Sequence, residues 1–183
     1  MNRYILDSDG AIQKHINASA DILELNTPAG AAYVDTDDRV DLSDYWDGDK
    51  FVSIGEPPSE HHVFYYAAKQ WIDPRSLYEV KAHKWDEIKA QRGQLEFGGF
   101  EFEGGVYDSD QVSQGRIMGA AAAGLDQVWT LADNTTAELS ASQLQQLYAA
   151  LQAHIASVHE RGRIARQLIF EAETKEQVEA VQL

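Results

Sequence analysis

Apolar residues recur at every third or fourth position from Leu144 through Leu147, Tyr148, Leu151, Ile155 and Val158, and onward through Gly162, Ala165, Leu168 and Ile169. With 3.6 residues per turn, that spacing lays them along one stripe of an α-helix. It predicts a long helix over residues 141–172. Ser140 with Gln143 three positions later opens it as a capping box, each side chain satisfying the other's backbone N–H. Thr174, followed by Lys175-Glu176-Gln177-Val178, caps a short final helix. An earlier stripe, Leu77, Val80, the stem of Lys84, Trp85, Ile88 and Leu95, follows Asp73-Pro74. Asp suits an N-cap and Pro the first helical position, where its missing N–H costs nothing. A helix over residues 111–125 is expected after Asp108-Ser109-Asp110, with Gly124 at its C-terminus. The small residues between Gly119 and Gly124 suit close packing against a neighbour.

Elsewhere the pattern is that of short strands and turns. Tyr4-Ile5-Leu6 and Ala11–Ile16 flank Asp7-Ser8-Asp9-Gly10, and Tyr45-Trp46 and Phe51–Ile54 flank Asp47-Gly48-Asp49. Asp-Gly between apolar-bearing runs predicts a hairpin, because the turn needs positive φ. Ala32-Tyr33-Val34 and His62–Tyr66 read as further strands, while residues 21–25 fit either strand or helical turn. Phe100 and Phe102 alternate on a strand expected to turn back through Gly104-Gly105, and residues 128–131 and 136–139 form a hairpin around Asp133-Asn134. The fold class is α+β. The expected domains are a small β-rich docking domain over 1–70, a connecting helix over 71–95 and an α+β domain with a long C-terminal helix over 96–183.

Composition narrows the functions this fold could serve. The 183 residues carry 15 Lys plus Arg against 30 Asp plus Glu, a formal net charge of −15. Backbone-directed nucleic-acid binding and anionic membrane surfaces both depend on clustered basic residues, so neither is an expected partner. The absence of cysteine removes disulfides, zinc–thiolate sites, iron–sulfur clusters and thiol nucleophiles. No apolar run reaches the ~18 residues of a membrane span, and Asp7 and Asp9 interrupt anything resembling a signal peptide.

Candidate chemistry is sparse. His154 and His159 stand five apart rather than the four that would align two ligands on a helix, and His61-His62 would point to opposite faces of a strand. A calcium loop counted from Asp44 places its glycine fifth instead of sixth and lacks a closing Glu. The acidic clusters at 35–38 and 44–49 read as solvated turns. There is no Gly-x-Ser-x-Gly and no phosphate-cradling loop. No catalytic residue, metal site or cofactor is expected, and the chain reads as a non-enzyme. Aromatic residues do stand out. Tyr45, Trp46, Phe64, Tyr65, Tyr66 and Trp71 are candidates for a docking face, because Trp and Tyr are favoured anchors at interfaces. Trp85, Ile88, Trp129, Leu147, Leu151 and Ile155 are candidates for the core.

The run Trp85-Asp86-Glu87-Ile88-Lys89-Ala90-Gln91-Arg92, the segment Gly98-Gly99-Phe100-Glu101-Phe102-Glu103-Gly104 and Asp110-Gln111-Val112-Ser113 occur in order. The helix from Arg116-Ile117 to Ala123, then Trp129-Thr130-Leu131-Ala132-Asp133-Asn134 and Leu139-Ser140-Ala141, continue the series. Together they resemble the uncharacterised C-terminal domain of bacteriophage tail-fibre and tail-fibre-assembly proteins, over roughly residues 80–180. The resemblance implies a structural tail component, fibre- or baseplate-associated, that docks on other tail proteins. An assembly chaperone outside the virion is the alternative, and a glycan-binding module a lesser one. It implies a location in the virion, with host cytoplasm during assembly, and a homo-oligomer, since fibre parts are commonly symmetric.

Overall fold

In a computed structural model describing residues 1–183, the chain forms two units, Met1–Arg75 and Ser76–Leu183. In the first, β1 (Asn2–Leu6) and β2 (Ile12–Asn17) form the expected antiparallel hairpin. Asp7 shapes its turn by accepting from the N–H groups of Asp9 and Ala11 at 2.9 Å each. Residues 21–25, ambiguous in sequence, fall within helix α1 (Ala20–Asn26), which buries Leu23. Strand β3 (Ala32–Thr36) then pairs with the free edge of β1, giving the sheet order β2-β1-β3. Two smaller hairpins follow, β4 (Tyr45–Trp46) with β5 (Phe51–Val52) and β6 (Val63–Tyr65) with β7 (Gln70–Ile72).

Gly10 joins the first hairpin to the second. Its carbonyl accepts from the N–H of Trp46 at 2.9 Å, and its φ of +79° lies in the region that favours glycine. A Cβ at this position would collide with the Trp46 carbonyl oxygen.

Making β1 the central strand buries Arg3, which is 3% exposed. A guanidinium out of water must be paired and hydrogen-bonded to persist there. Arg3 donates through Nε and one terminal nitrogen to both oxygens of Asp35, its cross-strand partner, at 2.8 Å each. It also donates to Glu24 at 3.1 Å and to the hydroxyl of Thr27 at 2.9 Å, and stacks 3.8 Å from the Tyr33 ring centroid. One side chain thus ties α1 to both β1 and β3. The hydrogen bond from Arg3 holds the Asp35 carboxyl below its usual range, and the same bond raises Arg3 further above its own.

In the second unit, α2 (Leu77–Phe97) begins later than Asp73-Pro74 suggests. Ser76 and Glu79 form a complete capping box, satisfying two orphan donors at once, whereas Asp73 accepts from the backbone and guanidinium of Arg75. The helix expected to connect two domains is instead packed inside this unit, against the long helix. Hairpin β8 (Phe100–Phe102) and β9 (Gly105–Tyr107) closes through Glu103-Gly104, with φ of +46° and +81°, rather than through Gly104-Gly105. A two-residue turn with both central residues at positive φ matches the twist of the strands, so Glu103 takes a conformation usually left to Gly or Asn.

Helix α3 (Gln111–Ala123) is capped by Asp110 and ends at Gly124 with φ of +65°. Hairpin β10 (Gln127–Thr130) and β11 (Thr136–Leu139) leads into α4 (Ala141–Glu171), and α5 (Lys175–Glu179) completes the chain. The predicted capping box at Ser140–Gln143 is present, and the Thr174 cap is also a complete box with Gln177.

The α4 stripe crosses two apolar clusters. Leu144, Leu147 and Leu151 pack with Phe100, Tyr107, Ile117 and Leu139, while Ala165 and Ile169 pack with Val80, Ile88, Val178 and Val181. Where α2 crosses α4, Gly162 leaves room for the Arg92 stem, whose Cδ lies 3.0 Å from where a Cβ would sit. His154 and His159 both reach the end of α2, His154 to the Leu95 carbonyl at 2.9 Å and His159 to Glu96 at 3.1 Å.

Three outcomes follow from this packing. Leu151→Ala should cost about 2–5 kcal/mol, and Leu151→Asp more, in denaturant unfolding followed by tryptophan fluorescence. Gly10→Ala should destabilise the first unit by at least about 1–3 kcal/mol, seen as early loss of the Trp46 signal. Because Asp35 titrates lower in the folded chain than unfolded, its contribution is complete above about pH 4 and is lost as pH falls through its lowered pKa. Arg3→Met should therefore lower the melting temperature at neutral pH and flatten its decline in acid; an unchanged acid limb would contradict the pairing.

Candidate binding surfaces

The six aromatic residues expected to form a docking face do come together in the first unit, largely against one another. Phe64 stacks on Tyr45 at 5.7 Å and meets Tyr66 and Trp71 edge-on at 5.0 and 5.5 Å. Trp46 meets Phe51 at 5.1 Å, and Phe51 in turn meets Tyr4 at 5.2 Å. Tyr45, Trp46, Phe64, Tyr66 and Trp71 are half-buried. Trp71 donates its indole N–H to the Ile54 carbonyl at 2.9 Å and Tyr66 its hydroxyl to the Ser43 carbonyl at 2.8 Å, so both are anchored from within. Burial raises the pKa of Tyr66 above its ordinary value. The outward member of the six is Tyr65, 52% exposed, beside Val63 at 50%. Alternation along β6 explains the split: Phe64 turns in and its neighbours turn out.

The core candidates sit as expected in the second unit. Ile88, Leu147 and Leu151 are fully buried, and Trp85, Trp129 and Ile155 are partly buried against the two clusters.

Residues 79–182 match a family described as a domain of unknown function, DUF4376. The chain belongs to this family. No curated protein and no solved structure matches it. The matched span runs from the first turn of α2 past α5 to residue 182 and covers nearly all of the second unit; the aromatic unit lies outside it.

Within the DUF4376 unit, a groove of about 520 Å³ runs between α3 and β10, lined by Arg116 and Gly119 on the helix and by residues 127–131 on the strand. Gly119 faces open space, with nothing within 4 Å of where its Cβ would be. The small residues of α3 therefore serve two sides: Ala120 and Ala121 pack inward with Ile117, and Gly119 keeps the groove open. Ser113 is committed to Asp110 at 2.5 Å. Arg116 and Asp108 line the groove with no side-chain hydrogen bond or ion pair, although the Arg116 charge helps lower the pKa of Asp110, and Asn134 donates its backbone N–H to the Leu131 carbonyl at 2.9 Å. Asp108 and Arg116 carry no sequence signal of a site: the one precedes a helix cap and the other stands on a helix. A glycine inside a helix, costing about 1 kcal/mol relative to alanine, was the signal that this face is kept clear.

Proposed function

We propose that this chain is a structural component of a bacteriophage tail, seated at the fibre or baseplate and acting by docking on other tail proteins. The observation that carries this reading is coincidence of span. The ordered segments that resemble the phage tail-associated domain occupy residues 80–180, and the family match occupies 79–182. Both therefore describe the same set of elements, α2 through α5. The first unit supports the docking role by its build: a cluster of half-buried aromatic rings, packed on one another, presents Tyr65 and Val63 outward. Pre-ordered aromatic anchors lose little entropy on binding and are favoured at interface centres.

Quantitative mass spectrometry of purified particles from a phage encoding this chain tests the proposal. The expected result is the chain at a fixed stoichiometry with fibre or baseplate proteins, and weaker incorporation of Tyr65→Ala at unchanged melting temperature. Absence from particles, together with insoluble fibre protein when the chain is withheld, would identify an assembly chaperone instead.

A further inference from the structure

The outer edge of β10 is an interrupted ladder. Strand β11 occupies the other edge, with the register Gln127↔Leu139, Val128↔Glu138, Trp129↔Ala137 and Thr130↔Thr136. The ladder continues as Leu131 N–H to the Thr135 carbonyl at 2.9 Å, which assigns the odd-numbered residues of β10 to bonds with β11. In an antiparallel pair the alternate residues point their N–H and C=O the other way. Ala132 follows this rule, donating outward to the Val106 carbonyl of β9 at 2.9 Å. Past Tyr107 the chain turns away through Asp108 into α3, and β9 goes no further along β10. Val128 and Thr130 are left with outward N–H and C=O groups that belong to no strand of the protein. This vacated length of edge opens on the groove kept clear by Gly119.

We propose that this groove receives an extended segment of a partner protein, which adds a strand to the outer edge of β10 where β9 leaves it. The main-chain groups of Val128 and Thr130 supply pairing that does not depend on sequence, as in other cases of strand addition. Selectivity comes from Arg116 and Asp108 beside the edge, two charges that no ion pair of this chain holds, although Asp110 lies within reach of the Arg116 charge. Arg116 takes an acidic side chain and Asp108 a basic one, so the fitting segment is short, β-prone and carries one charge of each sign. The site lies within the second unit and does not rest on the tail-protein reading.

The test pans the immobilised full chain against an mRNA-displayed library of linear heptapeptides. Enriched peptides are then synthesised for binding measurements. The expected hits alternate apolar and polar residues and contain one acidic and one basic side chain. Gly119→Leu, whose Cβ meets nothing within 4 Å and whose side chain extends into the groove, should weaken their binding at least tenfold, and so should Arg116→Glu. N-methylating the peptide amides that face β10 should produce a similar loss with the protein itself unaltered. In hydrogen exchange, bound peptide should protect the amides of Val128 and Thr130. No enrichment, or equal binding to Gly119→Leu and to N-methylated peptides, would overturn the proposal. So would a wild-type chain that dimerises while Gly119→Leu is monomeric, because the occupant would then be a second copy.

Discussion

The second unit depends on covering one face of α4. A helix of 31 residues extends about 46 Å, too far for one compact cluster to shield, and its apolar stripe must be protected along that length. The side chains on the stripe change size along the way, and the neighbours change with them. Leucines at 144, 147 and 151 hold α3 and the two hairpins at the distance of a large side chain. Gly162 and Ala165 let α2 approach closely enough for the Arg92 stem to lie across the backbone. The polar clips His154 to Leu95 and His159 to Glu96 fasten the last turn of α2 to α4, just before hairpin β8–β9.

The first unit solves a different problem. Seventy-five residues bury little aliphatic surface, and such a unit needs other means of holding together. Rings packed on rings supply apolar contact, and Arg3 binds three elements through a single buried cation. The acidity of the chain belongs to this economy. Asp7, Asp41 and Asp47 each accept backbone N–H groups in turns, which holds Asp41 and Asp47 in the ionised form below their usual pKa. A carboxylate that shapes a turn is a structural acceptor as well as a surface charge.

The two candidate surfaces follow from these two constructions. The rings of the aromatic cluster pack on one another, and strand alternation leaves Tyr65 and Val63 outside. The groove in the DUF4376 unit arises where a strand partner is lost. β9 is drawn off into α3 by the Asp110 cap, and Gly119 prevents the helix from filling the space left behind. One surface offers side chains and the other offers main chain, so they would recognise different features of a partner.

Local signals in the sequence determined most of the elements. Capping boxes at Ser140 and Thr174, the left-handed glycine at 124 and the Asp133-Asn134 turn depend on a few neighbouring residues, and each stands where those residues place it. The 3.6-residue period placed Ile88, Leu147 and Leu151 in the core for the same reason. Where two local signals competed, as Asp73-Pro74 did with Ser76–Glu79, the one satisfying more backbone donors prevailed. What required the tertiary structure was every contact between segments distant in sequence. Only the pairing of β3 with β1 makes Arg3 a buried residue, and only the crossing of α4 draws α2 into the second unit. Likewise, the aromatics of the first unit are turned inward by one another, which no spacing along the chain reveals. The open edge of β10 is the extreme case: its chemistry lies in backbone groups that every residue carries, and position alone decides which of them are left without a partner.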